Sequence, residues 1–127
     1  MKAIIHAKAV TPGGIVDDAT LLLEDGYIRA VGRDLAIPSE AQILDAEGMW
    51  VGPGFVDIHV HGDGTDGRWE SKPAQAAAHH LKHGTTTMLA TLAYTLQKQE
   101  LLEKAKNIQA MLDDGQMPNV WAVAYEG

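Results

Sequence analysis

The sequence predicts an α/β fold: a small all-β unit followed by a parallel sheet with intervening helices. Three observations carry this expectation. Two apolar runs meet at Asp25-Gly26; beyond Gly54 the hydrophobic pattern alternates between strand and helix spacing; and Gly52-Pro53-Gly54 separates the two regimes. The boundaries expected are residues 1–52 for the β unit and 53–127 for the α/β part. Composition agrees, since a chain 46% hydrophobic and 21% charged can bury a core. A net charge of −7 argues against nucleic-acid binding, which needs a basic face. The absence of cysteine excludes disulfide scaffolds, thiol catalysis and Cys-ligated zinc, and suits the cytoplasm. His6 and Lys8 break the first apolar stretch too early for a signal peptide, and no run approaches the ~20 apolar residues of a membrane span.

Taken in order, residues 3–7 form a brief apolar strand that Thr11-Pro12-Gly13-Gly14 breaks. ATLLLE, Asp25-Gly26 and YIRAVG read as a hairpin, because a two-residue type I′ turn needs positive φ at both positions. Residues 42–45 and 49–51 read as two more short strands around Glu47-Gly48. FVDIHV (55–60) is a compact strand, followed by the glycine-rich loop HGDGTDGRWES. Ser71 and Pro73 are good helix starters and Gly84 a good stop, so AAAHHLKH is expected to be helical. TTTMLATL is rich in β-branched residues and reads as a strand. From Gln97 to Asp113, Leu101, Leu102, Ala105, Ile108, Met111 and Leu112 recur at helical spacing, and Gly115 and Pro118 end that helix. Residues 120–125 form the last strand. Strand, helix, strand, helix, strand implies parallel pairing.

The sharpest chemical motif is Asp57-Ile-His59-Val-His61-Gly62. Residues two apart on a strand share a face, so His59 and His61 point the same way at a strand's C-terminal end, where parallel α/β folds place their sites. Two neutral imidazoles there suit a divalent metal. Asp57 has the same parity, two residues deeper, and is placed either to orient a ligand or to satisfy a buried polar group. Glu126 is the third candidate: Val120, Ala122, Ala124 and Glu126 share one small-residue face of the last strand, while Trp121, Val123 and Tyr125 form a bulky face expected to pack on helices. Asp63, Asp66 and Thr91 are weaker, substrate-facing candidates. His79 and His83 have helical metal spacing, but a polar outer face accounts for them better, and His6 is expected on the surface or in the β unit. There is no Walker-type phosphate loop and no Gly-x-Ser-x-Gly elbow.

ATLLLEDGYIRAVG followed by VGPGFVDIHVHG resembles the amidohydrolase superfamily. HGTTTMLATL and the closing Tyr125-Glu126-Gly127 are similar to its N-acetylglucosamine-6-phosphate deacetylases, although Ala124 stands where that group often has His. The resemblance implies part of a small β-sandwich followed by the first strands and helices of a metal-dependent (β/α)8 barrel, truncated after strand three. It implies His59, His61 and Glu126 as ligands of one or two divalent ions, zinc or iron. It implies hydrolysis of an acetamide on a small amino-sugar phosphate, in a full-length protein that is a homodimer and binds neither nucleic acid nor membrane. The general base is then expected beyond residue 127, and the 127-residue chain alone is expected to be inactive. Only 73 residues follow Gly54, whereas a barrel takes about 250, so open sheet edges are expected to drive association. Other superfamily chemistries, on cyclic amides or N-acyl amino acids, and a non-catalytic α/β interaction module remain open at this point.

Overall fold

The structure, a computed structural model, describes residues 1–126. Gly127, the second half of the Glu-Gly pair, lies outside the described residues. The chain divides into two compact units, Met1–Pro53 and Gly54–Gly127.

The first unit is one five-stranded sheet. Its strands are β1 (Lys2–Thr11), β2 (Gly14–Glu24), β3 (Tyr27–Gly32), β4 (Gln42–Asp45) and β5 (Trp50–Val51). The order is β3-β2-β1-β4, with β5 also pairing β1; β1–β2 and β2–β3 are antiparallel, while β4 and β5 run parallel to β1. The hairpin read at Asp25-Gly26 is present, with φ of 51° and 80° at the two turn residues. The Thr11–Gly14 segment differs from expectation. It breaks the chain into two strands as read, but as a tight turn with Thr11 paired directly with Gly14, so both strands run up to it. β1 therefore runs ten residues, its register shifted on either side of Ala7. A core of small residues (Ala7, Ala9, Ala19, Leu21 and Ala46) holds the sheet, with Ile4, Val16 and Val51 packed against it. His6 is at the surface, where its Nδ1 lies 3.0 Å from the Asp45 carboxylate. That hydrogen bond raises the imidazole above its ordinary pKa, and the Glu47 backbone N–H, then His6, hold the Asp45 carboxyl below the usual range.

The second unit contains β6 (Phe55–Val60), α1 (Pro73–Lys82), β7 (Thr85–Leu92), α2 (Lys98–Asp113) and β8 (Val120–Tyr125). Its sheet is parallel throughout in the order β6-β7-β8. α1 begins at Pro73, whose missing N–H costs nothing at a helix start; Lys72, with no side-chain cap, takes the N-cap position, and Ser71 lies in the preceding turn. Both helices share one core with alternate residues of β7: Ala76 and Ala77 from α1, Ala105 and Ile108 from α2, and Met88, Ala90 and Leu92 from the strand. Asn119 ties the layers together. It is buried, and its Nδ2 donates to the carbonyls of Ala77 (2.9 Å) and Thr85 (3.2 Å).

Strict alternation fails on β8. Met88 pairs with Val120 but Leu89 pairs with Ala122, so β8 carries an extra residue there. Val120 consequently turns into the helix-packed core, away from the face it was expected to share with Ala122, Ala124 and Glu126. Of the bulky face only Val123 reaches that core. Trp121 and Tyr125 are 80% and 58% exposed, because among the described residues no helix follows β8 to cover them.

Candidate metal centre

His59 and His61 stand at the C-terminal end of β6, and Glu126 directly follows β8. Strands β6 and β8 are not neighbours, so only the sheet order, with β7 between them, brings the carboxylate to the histidines. One ligand atom from each residue lies within 4.8 Å of the others. The His59 and His61 Nε2 atoms are 3.2 Å apart. Glu126 Oε1 is 3.7 Å from His59 Nε2, and Oε2 is 3.4 Å from His61 Nε2.

The strand register sets this geometry. Val60 packs into the helix-side core, which directs its neighbours His59 and His61 to the opposite face. His61 Nδ1 is 3.2 Å from the Thr91 carbonyl oxygen. A carbonyl only accepts, so Nδ1 carries the proton and Nε2 presents its lone pair. Two nitrogens bound ~2.05 Å from one tetrahedral ion stand ~3.3 Å apart, close to the spacing found here. Two imidazoles and a carboxylate are a donor set that zinc and ferrous iron both accept. The residues present therefore fit a divalent cation.

The surrounding groups brace the pair. Thr91 is buried; its hydroxyl accepts the Val60 N–H at 3.3 Å, so its side chain holds β6 against β7. The Asp57 carboxylate accepts the His59 N–H at 3.0 Å and orients backbone at that point. Two residues not singled out in the sequence complete the support. Trp69, 1% exposed, donates its indole N–H to the carbonyl of Val60, between the two histidines. His80 on α1 donates from Nε2 to the Gly62 carbonyl at 2.8 Å. An aromatic eight residues beyond the His pair was the available signal for Trp69; nothing local marked His80.

The loop acids turn inward. Asp63 accepts from the Thr65 N–H (2.8 Å) and hydroxyl (2.7 Å), the Gly67 N–H (3.1 Å) and Gln75 Nε2 (3.1 Å). Those bonds, the Thr65 pair foremost, push its carboxyl far below the usual range. Asp66 bonds Lys72 and Gln75, with its pKa lowered chiefly by Lys72. His79 on α1 and His83 at its C-cap are exposed, ring centroids 4.5 Å apart, separate from the His59–His61–Glu126 group.

No protein-family model matches the chain. A Brucella anthropi deacetylase is 36% identical over 91 residues, 68% of this chain and 21% of its own length. A Mycobacterium tuberculosis dihydroorotase is 44% identical over 54 residues, 42% of this chain and 13% of its own. The chain thus spans about a fifth or less of these relatives. Parallel strands carrying a His-x-His pair and a carboxylate at their C-terminal ends, together with these likenesses, define the class: the chain belongs to the amidohydrolase superfamily. Among solved structures it is similar to N-acetyl-D-glucosamine-6-phosphate deacetylase from Mycobacterium smegmatis, with 28% identity and a TM-score of 0.76 over 100% of this chain and 35% of that one. A point mutant of the same enzyme in complex with N-acetyl-D-glucosamine-6-phosphate is 26% identical, with a TM-score of 0.73 over 99% of this chain and 32% of that one.

Proposed function

We propose that His59, His61 and Glu126 hold a divalent ion, zinc or iron, in a metal-dependent amide hydrolase, and that its substrate is N-acetylglucosamine 6-phosphate, cleaved to glucosamine 6-phosphate and acetate. The observation that carries this reading is the convergence of the three ligand atoms within 4.8 Å. Similarity to solved deacetylases over the whole chain supports the substrate. A divalent ion at this position supplies Lewis-acid activation of water and of the amide carbonyl. The chain's own residues preorganise that chemistry. The Thr91 carbonyl sets the His61 tautomer, Trp69 and His80 hold the backbone on either side of His61, and Glu126 contributes the negative charge.

The same reading takes residues 1–52 as part of a β-sandwich and 53–127 as the opening strands of a (β/α)8 barrel. It places the full-length protein in the cytoplasm as a homodimer. Cyclic-amide hydrolysis is the second reading, favoured by the dihydroorotase-like stretch. Both are tested on full-length protein by metal analysis and a substrate panel. We expect stoichiometric metal, lost in the His59→Ala/His61→Ala variant, and acetate release from N-acetylglucosamine 6-phosphate. Turnover of dihydroorotate instead would select the second reading. A folded protein that takes up no metal would sink both.

A further inference from the structure

Away from the metal centre, the C-terminal turn of α1 carries a second pair of imidazoles. His79 lies in the last turn and His83 is the C-cap, four residues on, so the two share one face of the helix. We propose that His79 and His83 form a second, exchangeable site for a divalent transition cation of the zinc, nickel and copper class. The site does not depend on the amide-hydrolase reading and would stand without it.

Three observations converge on this pair. First, the ring centroids are 4.5 Å apart and the planes are tilted by 33°. In the His59–His61 pair, whose Nε2 atoms stand 3.2 Å apart, the centroids are 5.1 Å apart. The α1 rings are thus the closer of the two pairs, and rotation about their side-chain bonds suffices for one ion to reach both. Second, His83 Nδ1 is 2.8 Å from the His79 carbonyl oxygen. A carbonyl only accepts, so Nδ1 carries the proton and Nε2 keeps its lone pair, as the Thr91 carbonyl arranges for His61. Third, both rings are exposed, and among the described residues no carboxylate lies within ion-pair distance of either and the His79 ring makes no hydrogen bond.

The backbone leaves the pair open. Gly84 follows His83 at a φ of 92°, a conformation glycine tolerates, so the chain turns away directly after the second imidazole. His80 takes no part, because its Nε2 is committed to the Gly62 carbonyl. The carbonyls of a helix's last turn favour a nearby cation. α1 contains no acid, so ions that need several oxygen ligands, calcium and magnesium, are not served. Imidazole nitrogens with water completing the shell suit copper, nickel and zinc, copper most strongly. Two protein ligands hold an ion less firmly than the three of the metal centre. The α1 ion therefore washes out on desalting and does not enter the metal content of the isolated protein.

The test uses tag-free full-length protein, loaded with zinc, desalted, and titrated with further zinc chloride by calorimetry. A second binding event is expected, at least tenfold weaker than the metal centre. His79→Gln and His83→Gln are each expected to weaken that event at least tenfold, and the double variant no further, because losing either imidazole already breaks the chelate. Circular dichroism checks that the variants fold. Independent surface histidines would instead each lose part of the capacity at unchanged affinity; that result overturns the site, as does a weak event indifferent to both substitutions or the absence of one. A second measurement needs no variant. Substoichiometric nickel chloride is expected to broaden the His79 and His83 imidazole NMR signals together, ahead of the exposed His6, and equal broadening of all three contradicts chelation. A weak site removed by the α1 variants in a protein that retains no tightly bound metal would refute the amide-hydrolase reading alone. Tightly bound metal with no α1-dependent event would refute the second site alone.

Discussion

Replacing Trp69 with Phe tests the link between packing and the metal centre. The indole is 1% exposed and its N–H bonds the carbonyl of Val60, which lies between the two histidines. Phe keeps an aromatic ring but removes about three heavy atoms from a filled site, a loss of ~2 kcal/mol in transfer and cavity terms. The lost hydrogen bond adds ~1 kcal/mol. Trp69→Phe is therefore expected to destabilise residues 54–127 by about 2–4 kcal/mol. Urea unfolding followed at 222 nm reports on this unit, because both helices among the described residues belong to it. Zinc calorimetry on the same variant is expected to show affinity weakened about tenfold, since the backbone carrying both imidazoles has lost a tether. A stability change below about 1 kcal/mol would show that the indole is not the anchor described above. A large stability loss with unchanged zinc affinity would separate the core from the site and refute the coupling.

Other outcomes follow from the same geometry. Glu126→Gln keeps the shape but removes the charge, and is expected to weaken zinc at least tenfold by calorimetry without changing the unfolding free energy by more than about 0.5 kcal/mol. Gly62→Ala places a Cβ 2.3 Å from the Gly67 carbonyl at a φ of 148°, and a loss of about 2–4 kcal/mol is expected in urea unfolding. Asn119→Ala leaves the Ala77 and Thr85 carbonyls without their donor inside the core, costing about 2–3 kcal/mol by the same assay. The His6–Asp45 pair makes β1–β4 pairing pH-dependent. The raised His6 pKa contributes stability fully below ~6.5 that is lost as pH rises through the folded value, and the lowered Asp45 pKa contributes stability above ~4 that is lost as pH falls through its folded value. Protection factors of the β1 amides, the exchange rates corrected for intrinsic pH dependence, are expected to be highest between those limits. An NMR titration of His6 whose midpoint does not fall in Asp45→Asn would contradict the assignment.

Much of this molecule follows from local pattern. β6, β7, β8 and α2 lie within a residue of where spacing places them, and α1 starts at Pro73, three residues before the AAAHHLKH run, because hydrophobic period and Gly/Pro punctuation act over a few residues. The Asp25-Gly26 turn was legible for the same reason, and so was the shared face of His59 and His61. The departures that bear on the site involve partners distant in sequence. The extra residue on β8 that turns Val120 into the core is set by pairing with β7, and Trp121 stays exposed because no described element covers it. Glu126 is remote from His59 and His61 in the chain; their meeting depends on β7 spacing the two outer strands. The His61 tautomer depends on a carbonyl 30 residues away, and the Val60 carbonyl on an indole from the loop. Sequence alone determined which groups the chain offers for metal chemistry and the strand end that carries them. Tertiary structure decided which His61 nitrogen is left with its lone pair and which carboxylate meets the two histidines, because each of those depends on a contact whose two ends only folding brings together.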